Sequence, residues 1–289
     1  ATAGRQARQR ILHSLNAEDA ELFVEGVDRP NIALLRFRTD EDTKRVDLIK
    51  NLFNQMHKKT GGKALIFVPT VKQGNVVLDL LRQYKIKAEF FHGKLSAKDR
   101  DFLLGRFTGR LEEKVDLLIC TNAFGMGMDI PNVRIVFHWQ HPSSPEDYLQ
   151  EFGRAGRDGK PALAVLFTKN NDVGILNFML RKSLEKMVDD TQKQRIYQVK
   201  SDSINLINQM SKSKTLCFNN LIKDELDNDK TGRRSLSKLI LEWVFSERQR
   251  RHKRKHCCDA CFRQKSARPL SDFAKDVIGS MPNRVTEKI

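Results

Sequence analysis

The stretch ALIFVPTVKQGNVVLDLLRQY, residues 64–84, changes its period midway, and that change decides the fold. Ala64 to Val68 is a continuous apolar run of strand length, whereas from Thr70 to Tyr84 the residues Val77, Leu80, Leu81 and Tyr84 fall on one helical stripe. The alternation repeats outward in both directions. Strand-length runs rich in Val, Ile, Leu and Phe occupy Ile32 to Phe37, Ala88 to Phe91, Val115 to Cys120, Arg134 to Trp139 and Ala162 to Thr168, and helix-like segments such as Thr43 to Lys58 and Ser96 to Arg110 lie between them. Strands alternating with helices predict an α/β fold, an open and mostly parallel sheet with helices on both faces. Such sheets bind ligands beyond the carboxyl ends of their strands, and the segments Thr121 to Ile130 and Gln150 to Gly159 are both expected there.

A chain of 289 residues has room for one domain of ordinary size and a smaller companion, and its 39% hydrophobic content suffices for a packed core. Lys and Arg number 52 against 36 acidic residues, a formal charge of +16, which favours a polyanionic partner, nucleic acid first. No run of about 18 apolar residues exists and the N-terminal residues carry no apolar signal core, so the composition predicts a soluble, intracellular protein with no membrane partner. The chain opens on Ala1 rather than methionine and runs into a polar helix-like segment, Gln6 to Leu15, so a piece of a longer chain is expected. Beyond the sheet, Asn171 to about Lys200 reads as a helical extension and Ser201 to Glu225 as a second amphipathic segment. Leu236 to Phe245 is a further apolar helix candidate. The basic run Arg248 to His256 reads first as a solvated charge run, with a phosphate-contacting stripe or a nuclear-import signal as alternatives. Residues 262–289 offer no pattern long enough to assign an element.

Two segments carry candidate chemistry. Thr121-Asn122-Ala123-Phe124-Gly125-Met126-Gly127-Met128-Asp129 follows a strand and combines short polar side chains, glycines and a carboxylate, a composition suited to phosphate or base edges and equally to an ordinary glycine loop. Gln150-Glu151-Phe152-Gly153-Arg154-Ala155-Gly156-Arg157-Asp158-Gly159 sets two arginines three apart, on one side if the segment is helical. Its glycines would each cost about 1 kcal/mol against alanine in a helix, so they argue for close approach of another surface or ligand. Planar guanidinium groups there suit phosphate oxygens, the alternative being a surface turn with solvated arginines.

In order and spacing, Thr121 to Asp129, Pro131 to Arg134 and Tyr148 to Gly159 resemble motifs V and VI of superfamily 2 helicases, and Gly153 to Gly159 has the form typical of the RecQ family. Ala64 to Thr70 is similar to motif IV, Phe91 to Ser96 to the motif after it, Asp28-Arg29-Pro30-Asn31 to the entry of the second motor lobe, and Ala1-Thr2-Ala3 to the tail of the motif that closes the first. The resemblance covers roughly residues 1–261. It implies a RecA-like lobe of an ATP-dependent 3′–5′ DNA helicase, with Arg157 as arginine finger, Arg154 assisting, Gln150 positioning, and Gly127 and Asp129 near the nucleotide. Thr121, Asn122, Thr70 and His92 would contact the DNA strand. The division it implies is 1–27 as linker and end of the first lobe, 28–200 as the C-terminal RecA-like lobe, 201–265 as a small helical zinc-binding subdomain, and 266–289 as an unassigned tail.

A P-loop needs Gly-Lys followed by Ser or Thr, and Gly62-Lys63, Gly93-Lys94 and Gly159-Lys160 are followed by Ala, Leu and Pro. ATP with Mg²⁺ is therefore expected to be shared with a first RecA-like lobe of the same protein, and this chain alone to be inactive. Asp224-Glu225-Leu226-Asp227 has acid-box letters without a preceding strand and reads as a solvated helix end. Among the five cysteines, Cys258 and Cys261 have zinc-knuckle spacing, and their clustering with Cys217 suits a metal better than disulfides. Cys257, His256 or His252 would complete four ligands. RecQ proteins carry a zinc module at this place, although the gap after Cys217 is long here and the remaining family cysteine would fall at Arg254 or Lys255. A non-catalytic nucleic-acid-binding remnant and an RNA-directed motor are the rival readings. The helicase reading places the protein in the nucleus if the source is eukaryotic, and otherwise in the cytoplasm or nucleoid.

Overall fold

The computed structural model describes residues 5–20, 29–124, 130–213, 217–227, 257–265 and 270–281. Each of the six apolar runs becomes a strand: β1 Ile32–Arg38, β2 Lys63–Phe67, β3 Glu89–Phe91, β4 Leu117–Cys120, β5 Val133–His138 and β6 Ala162–Thr168. They form one sheet in the order β1-β6-β5-β2-β4-β3, every pairing parallel. Successive side chains on a strand point to opposite faces, and here the two sets enter separate cores. Leu34, Leu65, Leu118, Val136 and Leu166 belong to one, while Leu35, Ile66, Ile119, Phe137 and Phe167 belong to the other. Burial on both faces explains why the runs are continuously apolar rather than alternating.

The helices cover these faces. On the second core lie α2 (Asp42–Thr60), through Val46 and Ile49, and α3 (Val71–Gln83), through Val77 and Leu81. On the first lie α4 (Ala97–Thr108), with Leu103 and Phe107, and α5 (Pro145–Phe152), with Tyr148 and Phe152. Thr70, Ser96 and Ser144 start α3, α4 and α5, each hydroxyl accepting from the amide three residues on. The predicted N-terminal helix is α1, Arg5–Ser14.

Past β6 the expected single extension is two helices, α6 (Asp172–Leu184) and α7 (Asp190–Lys212), packed through Leu176, Leu180, Leu184 and Ile204. The boundary placed after residue 200 falls inside α7. Next, α8 (Phe218–Asp227) makes Asp224 to Asp227 a helix end, while Leu236 to Phe245 and Arg248 to His256 lie outside the described residues. The cysteine segment leads into α9, Asp259–Lys265. It does not stand apart from the sheet. The Leu34 amide donates to the Cys257 carbonyl at 3.2 Å, Leu34 and Cys258 form a parallel bridge on the edge of β1, and Phe218, Ile222 and the cysteines share the first core.

Residues 262–289, which show no readable pattern, include α10, Leu270–Ser280. It returns to the sheet, burying Phe273, Val277, Ile278 and Met281 in the second core. Side chains of this kind contribute about 1.5–3 kcal/mol each when fully buried, before the cost of ordering them.

Arg36 joins the sheet to the cysteine segment. Only 7% exposed, it donates through Nε and Nη2 to both Asp259 carboxylate oxygens at 2.9 and 3.2 Å, and through Nη1 to the Met210 and Ser213 carbonyls at 3.2 and 2.5 Å. Its guanidinium also lies 4.8 Å from the centre of the Phe218 ring. Burial still pushes the Asp259 carboxyl above its ordinary value, with Arg36 opposing the shift. The pair therefore adds little net stability, but removing one partner strands a buried charge. Arg36→Met is expected to lower stability by about 3–5 kcal/mol in urea unfolding, and Arg36→Met with Asp259→Leu to recover most of that loss. An equal loss in both variants would show that the charge pair is not what holds the joint.

Candidate functional site

Thr70 follows β2, His92 follows β3, and Thr121 and Asn122 follow β4, so the neighbouring strands β2, β4 and β3 deliver all four residues to one stretch of the carboxyl edge. The Thr121 amide donates to the Phe91 carbonyl at 3.3 Å, and that of Val68 to the Cys120 carbonyl at 2.9 Å. Thr70 Oγ1 accepts from the Gln73 amide at 3.1 Å, which leaves its proton free in principle to donate outward. His92 stands half-buried with its ring 4.7 Å from that of Phe90. Burial, and then the charge of Lys94, hold its pKa below the usual histidine value, so the neutral imidazole prevails at neutral pH. Thr121 is half-buried and Asn122 exposed. Gly127 and Asp129 lie outside the described residues.

The arginine segment is elsewhere. It was expected beyond the carboxyl ends of the strands, but the Gly156 amide donates to the carbonyl of Val133, the first residue of β5, at 2.9 Å. The turn therefore sits at the amino ends of the strands. The reason is topological: a helix that links parallel strands must carry the chain back to the edge where the next strand begins. The helix also stops early. α5 ends at Phe152, so Gln150 is exposed in its last turn while Arg154 and Arg157 stand on the turn that follows.

That turn is braced by residues whose part the sequence reading left unassigned. Arg29 donates to the carbonyls of Gly153, Ala155 and Gly156 at 2.7, 2.9 and 3.2 Å. Asn31 Nδ2 donates to those of Gly156 and Lys160 at 2.7 and 2.9 Å. Arg134, 1% exposed, binds Asp158 at 2.6 Å, and this bond and its charge pull the carboxyl below its ordinary range against the opposing effect of burial. Gly156 has φ +56°, and a Cβ there would lie 2.4 Å from Asn31 Nδ2 and 2.7 Å from the Lys160 carbonyl oxygen. A Cβ on Gly153 would lie 2.6 Å from the Leu149 carbonyl oxygen. The close approach anticipated from these glycines is thus to the protein's own groups.

Cationic side chains gather around the turn. Burial, then the charge of Arg157, lowers the pKa of both Arg29 and the half-buried Arg154, so the three guanidinium groups feel one another. Arg157 itself is exposed. The arrangement concentrates positive charge on a fixed backbone and can stabilise negative charge on an approaching phosphoryl group. On α5, Glu151 Oε2 meets His138 Nε2 at 2.9 Å, tying the helix that leads into the arginine turn to the carboxyl end of β5.

A second cluster joins Cys217, Cys257, Cys258 and Cys261, all buried, with sulfurs within 4.8 Å of one another. Cys257 is thus the fourth member, while His252 and His256 lie outside the described residues. Cys217 Sγ lies 3.4 Å from that of Cys257 and 3.8 Å from that of Cys258, too far for disulfides. Zinc with Zn–S bonds of about 2.3 Å in a tetrahedron sets sulfur separations of about 3.8 Å, so the donor set fits such an ion.

Residues 44–159 match the family model of the helicase conserved C-terminal domain. The chain is 32% identical over 173 residues to the probable ATP-dependent DNA helicase RecS of Bacillus subtilis, covering 60% of this chain and 34% of that protein. It is also 32% identical over 204 residues to the ATP-dependent DNA helicase RecQ of Haemophilus influenzae, covering 71% of this chain and 31% of the relative. The chain thus spans about a third of the length of these relatives. Among solved structures, Saccharomyces cerevisiae Dbp5 bound to RNA and ADP-BeF3 superposes with a TM-score of 0.51 at 23% identity, covering 71% of this chain and 54% of that one, which shows a shared RecA-like fold. The matched domain and the relatives together identify the chain as the C-terminal lobe of a helicase of the RecQ kind.

Proposed function

We propose that the chain is the second motor lobe of an ATP-dependent DNA helicase moving 3′ to 5′, and that it supplies Arg157 as the arginine finger. The braced turn carries this reading. A finger has to be exposed at its tip and fixed at its base, and Arg157 is exposed on a turn whose carbonyls receive hydrogen bonds from Arg29 and Asn31. Arg154 adds positive charge beside it and Gln150 positions the approaching nucleotide, with Gly127 and Asp129 assigned near that nucleotide by resemblance. ATP with Mg²⁺ brings the phosphoryl group to be transferred. No Gly-Lys pair in the chain has the following Ser or Thr of a P-loop, so a first RecA-like lobe of the same protein is the partner that holds the nucleotide.

At the carboxyl edge, Thr70, Thr121, Asn122 and His92 contact the backbone of DNA, whose binding is favoured by the charge of +16. The substrate is the single strand beside a duplex junction, in the nucleus or the bacterial nucleoid according to source. The cysteine cluster holds a structural zinc, which ties α8 and α9 to the sheet edge. A second reading, a nucleic-acid-binding remnant without ATPase activity, is favoured by the missing P-loop alone.

With the first lobe present, Arg157→Ala is expected to cut DNA-stimulated ATP turnover by about 10³ to 10⁵ while leaving DNA affinity nearly unchanged. Unaltered turnover would remove the finger assignment, and no turnover in the parent protein would favour the remnant. The isolated chain is expected to bind DNA in a salt-sensitive manner without hydrolysing ATP; measurable hydrolysis, or tighter binding to RNA at matched salt, would count against the proposal. Metal analysis of the purified protein is expected to give one zinc per chain, with Cys258→Ser lowering both zinc content and melting temperature. A stoichiometry far below one in undialysed protein would refute the zinc assignment.

A further inference from the structure

A cleft of about 360 Å³ opens at the carboxyl ends of β1 and β6, where α7 and α9 meet the sheet. Its lining includes Arg36, Arg38, Lys169, Lys212 and Arg263, with Asp259. Within this set the anionic charge is already taken. Both Asp259 oxygens are bound to Arg36, and Arg263 reaches one of them only at 3.4 Å. Lys169 is held by Asp42 at 2.6 Å, while Arg38 donates to the neutral side-chain oxygen of Asn170. Lys212 is exposed, and no ion pair joins it to a carboxylate among the described residues. The lining cations Arg36, Arg38, Lys169, Lys212 and Arg263 still outnumber the carboxylates beside them, Asp259, Asp42 and the Asp40 that Asn170 binds, so positive charge prevails in a concave site walled by protein, which focuses the field on an anion. His141 on the same wall already feels that field: burial first, then the charge of Lys212, pushes its pKa down to about 4. Its imidazole is neutral there, with Nε2 3.0 Å from the Ser211 hydroxyl.

We propose that this cleft is a phosphate-binding subsite for the nucleic-acid backbone, gripped by Arg38, Lys212 and Arg263 where the motor sheet meets the cysteine segment. It rests on the reading of the lobe as a nucleic-acid motor. The position favours a backbone over a free anion. The cleft shares its edge with Thr70, His92 and Thr121, and the two outermost strands of the sheet, β1 and β3, are five strand spacings apart. At about 4.8 Å per spacing that is about 24 Å to His92 after β3, about 19 Å to Thr121 after β4 and about 14 Å to Thr70 after β2. A duplex strand advances about 3.4 Å per nucleotide, so about four to six nucleotides would span from the threonine loops to this cleft. A strand lying along the edge meets both groups. A free phosphate would have no reason to be sited in line with them.

The test compares the full-length protein with Lys212→Gln, Arg263→Gln and the double variant, using a fluorescent DNA with a single-stranded tail and a duplex, titrated across salt concentrations. Both altered side chains are exposed, and unchanged melting temperatures establish that the variants fold. Each substitution is expected to weaken binding for all DNA sequences alike and to lower the slope of log affinity against log salt by about 1. Unchanged slopes in a parent protein that binds DNA and hydrolyses ATP would overturn the subsite and leave the helicase reading standing. Lowered slopes in a parent without DNA-stimulated hydrolysis would keep the subsite and sink the helicase reading. Inorganic phosphate is titrated in parallel by calorimetry. If the variants lose phosphate binding while their DNA binding is unchanged, the cleft takes a small anion and the proposal fails.

Discussion

A parallel sheet has to bury both of its faces, and in this protein the local helices alone do not complete that burial. α2 and α3 cover much of one face, α4 and α5 much of the other, but β1 and β6 also depend on chain that comes more than a hundred residues after β1. α8 and the cysteines fill out the first core and α10 the second. Arg36 occupies the seam between these contributions. It lies on its strand between Leu35 and Phe37, and it satisfies Asp259 and the carbonyls at the end of α7 together. The dependence of sheet and cysteine segment on each other follows from this shared burial.

The same topology separates two tasks. Loops leaving strands gather at one edge, where Thr70, His92 and Thr121 stand, whereas α5 brings Arg154 and Arg157 back to the other. β5 and α5 run between the two, linked near one end by His138 and Glu151 and at the other by Val133 and Gly156. The turn itself is held by Arg29, Asn31 and Arg134, so the arginines keep a fixed place relative to the strand.

Much of the fold was legible because burial on both faces writes each strand as an unbroken apolar run, and the helices as stripes such as Val77, Leu80 and Leu81. The cysteine set was legible from spacing, with its fourth member left among three candidates until the chain brought Cys257 to Cys217. What stayed hidden depends on tertiary partners. Arg36 and Arg134 are charged residues on strands, and no local rule says that Asp259 or Asp158 will come to them. The edge occupied by the arginine turn follows from the direction of α5 rather than from its composition. α10 had a signal, since Phe273, Ala274, Val277 and Ile278 recur at helical spacing, but eleven residues among polar neighbours make a short window for periodicity.

α10 also changes what the cysteine segment is in mechanical terms. The chain leaves the motor sheet through α6 and α7, passes the four sulfurs, and then returns to lie against β6 and α2. The segment is thus fastened at both ends to the same body rather than strung after it. Pulling it away would require opening the second hydrophobic core as well as the first, so its position relative to the motor is set by the interior of the lobe and not by the length of a tether.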